Sequence, residues 1–138
     1  MTGMTRYHDS LHRVTYAETD RMGFAYYANY FVWFEVGRTE LIRASGLPYR
    51  ELEEMGLMLP VIEASCKYSS PASYDDLLTI RASVSEFKGI RIRFAYHIIK
   101  DGKTIAEGMT YHAFMDKDGR PRKVPAEVRE RIEKASDT

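Results

Sequence analysis

Asp20 is the side chain in this sequence best placed to do chemistry. It lies in the turn Thr19-Asp-Arg-Met-Gly23, just ahead of a strongly apolar helix expected to begin near Tyr27 to Asn29. The first N–H groups of a helix have no partner inside it and point outward, toward anything bound there. They can hold a carbonyl oxygen as negative charge develops on it. A carboxylate facing them can attack that carbonyl or activate a water against it. One acid and one helix N-terminus suffice for an activated ester and are weak equipment for an amide. The plainer reading of Asp20 is a turn aspartate that caps backbone amides, and position alone favours it.

The other reactive residue types offer less. His8, His12, His97 and His112 have no metal-ligand spacing, and no Cys/His cluster exists, so no metal is expected. Cys66 alternates with Ala64 and Tyr68 and reads as core. Asp75 and Asp76 are adjacent in a turn, where their side chains diverge, so turn chemistry explains them better than paired catalysis. Glu35 is an acid inside the apolar helix. It reads either as a buried acid paired with Arg38 or as a polar contact lining a pocket.

The elements that must position these groups follow from periodicity. Ser10 to Ala17 reads as a strand, and Thr19 to Gly23 as a turn. The helix should run from about Tyr27 to Ser45, with Gly46 ending it. Tyr30, Phe31, Val32, Trp33 and Phe34 leave its first turns no polar face, so it should be surrounded. Gly37 inside it points to close approach by a neighbouring backbone. A short helix from Pro48 to Met55 follows. The period then changes to that of strands: Leu59 to Tyr68, Leu77 to Phe87, Ile90 to Ile99 and Thr104 to Met115. Lys-Asp-Gly-Lys at 100–103 reads as a hairpin turn. Pro125 to Ala135 reads as a short amphipathic helix with Val128 and Ile132 inward. The expected class is α+β, an antiparallel sheet of about five strands with helices on one face.

At 138 residues the chain is expected to be one domain, with a loose start over residues 1–9. Twenty basic and 20 acidic residues cancel, so no global charge draws it to nucleic acid or an anionic membrane. That balance also permits self-association. One cysteine allows no internal disulfide, and no leader-like or spanning apolar stretch stands out, so a cytoplasmic protein is expected.

Tyr16-Ala-Glu-Thr-Asp-Arg-Met-Gly23 followed by Tyr26-Tyr-Ala-Asn-Tyr30 resembles an active-site signature. It is that of hotdog-fold acyl-CoA thioesterases of the 4-hydroxybenzoyl-CoA thioesterase type, close to the YbgC-like hydrolases. Arg13, Val14, Thr19, Asp20, Gly23, Tyr26 and Tyr30 carry the match, and Pro71 to Ile80 forms a second similar block. The resemblance spans about Leu11 to Met115. It implies a long central helix wrapped by an antiparallel sheet, and a dimer whose sheets join edge to edge, often paired into a tetramer, with sites at subunit interfaces. It places Asp20 on the catalytic carboxylate and Tyr27 where a backbone N–H polarises the thioester carbonyl. Gly23, Phe24 and Glu35 then border the acyl group, Phe24 replacing a small aliphatic residue. Lys88 and Arg91, with Arg93 beside them, become a candidate clamp for coenzyme A phosphates, where the plainer reading is a solvated sheet edge. No cofactor is implied. The activity implied is hydrolysis of an acyl-CoA to a carboxylic acid and free coenzyme A. The alternatives are a hotdog protein that binds an acyl ligand without cleaving it, or a hydratase, which would want a histidine beside Asp20.

Overall fold

The computed structural model describes residues 6–135. Five antiparallel strands form one sheet in the order β1-β3-β4-β5-β2. The strands are β1 (His8–Arg13), β2 (Val61–Tyr68), β3 (Leu77–Lys88), β4 (Arg91–Lys100) and β5 (Lys103–Ala113). Helices α1 (Asn29–Ala44), α2 (Tyr49–Glu54) and α3 (Ala126–Ala135) complete the order. With α1 laid on the sheet's inner face, this is the hotdog arrangement that the resemblance implies.

The alternation that marks the strands also builds the core. Leu78, Ile80 and Ala82 of β3 and Ile92, Phe94, Tyr96 and Ile98 of β4 all point inward and are fully buried. Trp33, Phe34, Leu41 and Ile42 of α1 meet them, each also fully buried and each contributing about 1.5–3 kcal/mol. Phe34 stacks on Tyr96 with ring centroids 4.3 Å apart. Gly37 is required where α1 comes closest: a Cβ there would stand 2.8 Å from Ile80 Cγ2 and 3.3 Å from the Ala82 Cβ. The close neighbours are therefore sheet side chains, and not the backbone that the glycine suggested. The 100–103 hairpin has positive φ at both Asp101 and Gly102, as its Asp-Gly pair requires.

Two expectations need correction. Of the loose start at residues 1–9, residues 1–5 lie outside the described residues, while His8 and Asp9 already belong to β1 and pair with Ala82 and Arg81. The Asp9 carboxylate takes hydrogen bonds of 2.9 and 3.0 Å from Arg81, which anchors that edge. The same strand stops at Arg13 and not Ala17, because Thr15 opens a 3-10 turn over Tyr16–Glu18. Within one chain α1 is covered on its sheet side and open on its outer side, which leaves the rest of the expected cover to something beyond this chain. Val32 and Val36 stand 53% and 37% exposed on its outer side, and Glu35 between them is exposed too. A 100° step per residue puts Val32, Glu35 and Val36 on one side, away from Trp33 and Phe34.

Candidate active site

The turn that carries Asp20 is closed by its own chemistry. The Asp20 N–H donates to the Phe24 carbonyl at 2.9 Å, and the Gly23 N–H donates back to the Asp20 carbonyl at 3.0 Å. Gly23 has φ +83°, which a residue with a Cβ rarely adopts. Aspartate at the first position and a left-handed glycine three residues on explain the Asp-x-x-Gly spacing. Asp20 Oδ1 accepts from the Met22 N–H at 2.9 Å, so the plain turn-capping role is real. It occupies one oxygen. Among the described residues no hydrogen bond ends on Oδ2.

The ends of this turn are tied into the fold. Thr19 bridges Ala25, Phe24 bridges Ser73, and the Ala25 N–H donates to Ala72 at 2.8 Å. Chain then leads directly into α1. The Tyr26 N–H donates to the Glu18 carbonyl at 2.8 Å, and the Asn29 N–H to Tyr26 at 2.9 Å. Between them, the N–H groups of Tyr27 and Ala28 donate to nothing among the described residues. Their carbonyl neighbours are in use: that of Tyr27 accepts from Tyr30 N–H and, at 3.0 Å, from the Tyr68 hydroxyl at the end of β2. The site therefore offers an acceptor-rich carboxylate and free backbone donors at one end of α1.

Aromatic rings line this end. Tyr26 and Tyr27 have centroids 4.8 Å apart, and Tyr68 meets Tyr30 edge-on at 4.8 Å. The Tyr26 phenol is raised above its ordinary value, first by its hydrogen bond with Tyr27 and in smaller part by the Asp20 charge. Tyr27, Tyr16 and Met22 are all more than half exposed, an open apolar surface around a polar centre.

Asp20, Gly23 and Phe24 thus share one turn, and Tyr27 follows it just before α1. Glu35 does not pair with Arg38. It lies on the exposed side of α1, while the Arg38 guanidinium turns inward toward the hydroxyls of Tyr96 and Tyr49. Lys88 and Arg91 face each other across the β3–β4 hairpin, as a clamp would need. They are far from Asp20 of their own chain, however. The Asp20 turn abuts residues just before β3, and Lys88 ends that strand 11 residues after Leu77, roughly 35 Å away. Arg129 joins the cluster, its guanidinium 4.2 Å over the Phe87 ring and bonded to the Gly89 carbonyl at 3.3 Å.

Asp76 plays the turn role expected of it. Its Oδ2 accepts from the Ser73 N–H at 2.7 Å and pairs with Lys100 at 2.9 Å, and those contacts outweigh burial to hold its carboxyl below the usual range. Cys66 is only half-buried, because β2 is an edge strand largely open on both faces in one chain. Burial raises its thiol, which argues against a nucleophile. A cavity of about 390 Å³ opens at the opposite end of β2 from Tyr68, lined by Tyr49, Leu57, Met58, Pro60 and Met115. Sequence reasoning passed over Glu18, although Thr15-Tyr-Ala-Glu18 has the spacing of a capping box.

No helix among the described residues is long and apolar enough to cross a membrane. The chain matches the family model described as "Thioesterase-like superfamily" over residues 14–132. It is similar to the acyl-CoA thioesterase YbgC of Haemophilus influenzae, 33% identical over 105 residues, which are 75% of this chain and 77% of that one. A solved protein of Aquifex aeolicus superimposes with a TM-score of 0.87 at 31% identity, over 91% of this chain and 98% of its own. The gentisyl-coenzyme A thioesterase BH1999 does so with a TM-score of 0.84 at 27% identity, over 91% and 99%.

Proposed function

This chain belongs to the thioesterase-like superfamily, and on that footing we propose that it is an acyl-CoA thioesterase whose Asp20 carboxylate and Tyr27 N–H act on opposite sides of the thioester carbonyl. The observation that carries the reading is the pairing of a carboxylate oxygen without a partner and an unused N–H at the start of one buried helix. The carbonyl oxygen accepts from the Tyr27 N–H, which strengthens as the oxygen gains charge. The carboxylate adds to the carbonyl carbon, or takes a proton from a water that does so. In either route the C–S bond breaks and the sulfur leaves as thiolate and is protonated; water adds to the acyl carbon in the base route, and in the covalent route to the Asp20 carbonyl carbon of the mixed anhydride, so that an Asp20 oxygen leaves with the product acid. Single turnover in ¹⁸O-water separates them: only the covalent route leaves label in the Asp20 side chain.

A second subunit completes this picture. The free edge of β2 carries Val61, Ile62 and Tyr68, each more than 40% exposed, and Val32 and Val36 of α1 lie uncovered as well. Antiparallel pairing of two β2 edges about a twofold axis sets the partner's cavity end against this chain's Tyr68 and Tyr27. The acyl group then lies between subunits. Because Lys88 and Arg91 cannot reach their own Asp20, they clamp coenzyme A phosphates only for a site on another subunit. A dimer, or a dimer of dimers, is the state this requires.

The test is thiol release from acetyl-, hexanoyl-, palmitoyl- and benzoyl-CoA by the wild type and by Asp20→Asn. Turnover by the wild type and its loss in a folded variant support the assignment. Equal turnover by the two proteins removes Asp20 from the chemistry. The competing reading, favoured by the turn-capping bond on Oδ1, is a protein that holds acyl-CoA intact; it predicts saturable binding with no thiol released.

A further inference from the structure

Glu18 gathers more hydrogen bonds than any role in the chemistry accounts for. Its Oε1 accepts from the Thr15 N–H at 2.8 Å and the Thr15 hydroxyl at 3.1 Å. Its Oε2 accepts from the indole N–H of fully buried Trp33 at 2.8 Å. His12 Nε2 lies 2.9 and 3.1 Å from the two oxygens, and the His12 ring packs on Trp33 with centroids 5.3 Å apart. The Glu18 backbone carbonyl accepts from the Tyr26 N–H at 2.8 Å and the Asn29 side chain at 2.7 Å. One residue thus fastens β1, the 3-10 turn and α1 together. Burial would raise its carboxyl, yet these donors hold it below the usual glutamate value.

Its place in the chain gives this junction a consequence. Glu18 is two residues before Asp20, and its carbonyl takes up the last N–H before Tyr27. We infer that Glu18 is a positioning residue, whose carboxylate fixes the Asp20 turn against the start of α1 and so sets the distance between Asp20 and the Tyr27 N–H. This deepens the thioesterase reading above and rests on it. The carboxylate grips the helix through Trp33 and the strand through His12, while the carbonyl grips the chain entering the helix. A rigid spacing between nucleophile and polarising donor is worth much in rate, since a misplacement of about 1 Å can cost about 100-fold. Neither group in the proposed chemistry reaches back to β1 by itself. Without the Glu18 carboxylate the Asp20 turn keeps its internal bonds and the carbonyl's bonds to Tyr26 and Asn29, and loses the side-chain ties to Trp33 and His12 that hold it in register with the helix.

The experiment uses the full chain with Glu18→Gln, Glu18→Ala and Trp33→Phe. Glutamine keeps one acceptor and the shape; Trp33→Phe removes the indole donor together with some buried volume, leaves Glu18 itself intact, and serves as the second variant should either Glu18 change prevent folding. Thiol release is measured on the acyl-CoA that the wild type turns over fastest, together with amide hydrogen exchange over residues 19–28. The expected result is a kcat lowered about 10-fold in Glu18→Gln and Trp33→Phe and about 100-fold in Glu18→Ala, with KM within about twofold. Exchange rises at residues 19–28 and not in β3 or β4. Wild-type kcat with wild-type exchange in folded Glu18→Gln and Trp33→Phe overturns the inference. So does exchange that rises equally throughout the sheet, which marks a merely structural residue. If the wild type cleaves no acyl-CoA, the thioesterase reading fails, and the exchange data still decide whether Glu18 holds the turn to the helix.

Discussion

Helix α1 is closed at one end and open at the other. At its C-terminus the Ser45 N–H reaches the carbonyls of Leu41 and Ile42, Gly46 reaches Arg43, and Leu47 reaches Ile42. Gly46 takes φ +85° to make that turn, and Leu47, Leu52 and Leu57 cover it with apolar surface. At the N-terminus no side chain caps the helix, and the Tyr27 and Ala28 N–H groups donate to nothing among the described residues. Most helix ends resemble the first case because orphaned backbone groups cost free energy. Donors left unused at one end only, under an aromatic rim, are what the proposed role of holding a carbonyl oxygen requires. The sheet beneath α1 shows the opposite use of polar groups, in β4 and β5. There Tyr96 donates to Thr110 at 2.5 Å, Thr110 to His112 Nε2 at 2.8 Å, and His112 Nδ1–H to the Leu59 carbonyl at 3.1 Å. Every member is buried and satisfied, which suits support and not turnover.

That contrast assigns changes at the two ends to different measurements. The largest effect belongs to Asp20→Asn, which should lower kcat by about 100- to 10,000-fold, the range spanned by loss of a catalytic carboxylate. Its melting temperature should stay within a few degrees of wild type, since Asn also accepts from the Met22 N–H. A collapse of stability instead would put Asp20 with the supporting residues.

The next effect is at the closed side and appears in stability. Burial pushes His112 down to about 4, so it stays neutral in the folded chain, against 6.5 when exposed. Between those values the unfolded chain binds a proton that the folded chain refuses. Stability is therefore full above about pH 6.5 and falls as the pH drops toward 4. Unfolding free energies from urea titrations at pH 7 and pH 5 should differ by about 1–2 kcal/mol in the wild type, a range in which most carboxylates stay ionised. Gln at position 112 offers a donor and an acceptor without titrating, and His112→Gln should remove most of that difference. An unchanged pH slope would break the assignment.

The sheet and the site turn were legible because they rest on local rules. Alternation in β3 and β4 is a property of every second residue, and Asp-x-x-Gly is dictated by the turn itself. Less was legible where distance or a partner decides. Of the two readings of Glu35, the buried acid paired with Arg38 fails, because the helical step turns Glu35 outward with Val32 and Val36. Lys88 and Arg91 are set away from Asp20 of their own chain by the length of β3, a separation that no local pattern reveals. Arg38 buried against two tyrosines has no sequence signature, since the residues that face it come from α2 and β4. Glu18 did have one, the Thr-x-x-Glu spacing, hidden by its position next to the more reactive acid.

A smaller stability effect is expected of Gly46→Ala. The space there is open, with Arg131 Nη1 3.8 Å from the added Cβ, so the cost is backbone strain alone, about 1 kcal/mol. Turnover should not change, and a loss of kcat would show that the closed end communicates with the site.

The smallest effect tests the open end most sharply. Tyr27 is assigned a role through its N–H, and its ring is 60% exposed. Tyr27→Phe keeps that N–H, the ring and its edge-on contact with Tyr68, whose centroid lies 6.4 Å away. It removes the hydroxyl and with it the hydrogen bond that raises Tyr26. A backbone role predicts kcat and KM each within about twofold of wild type. A 10-fold fall in kcat would move the polarising function from the backbone to the phenol. The free N–H groups would then be only an uncapped helix start, and the difference between the two ends of α1 would no longer explain where the reaction occurs.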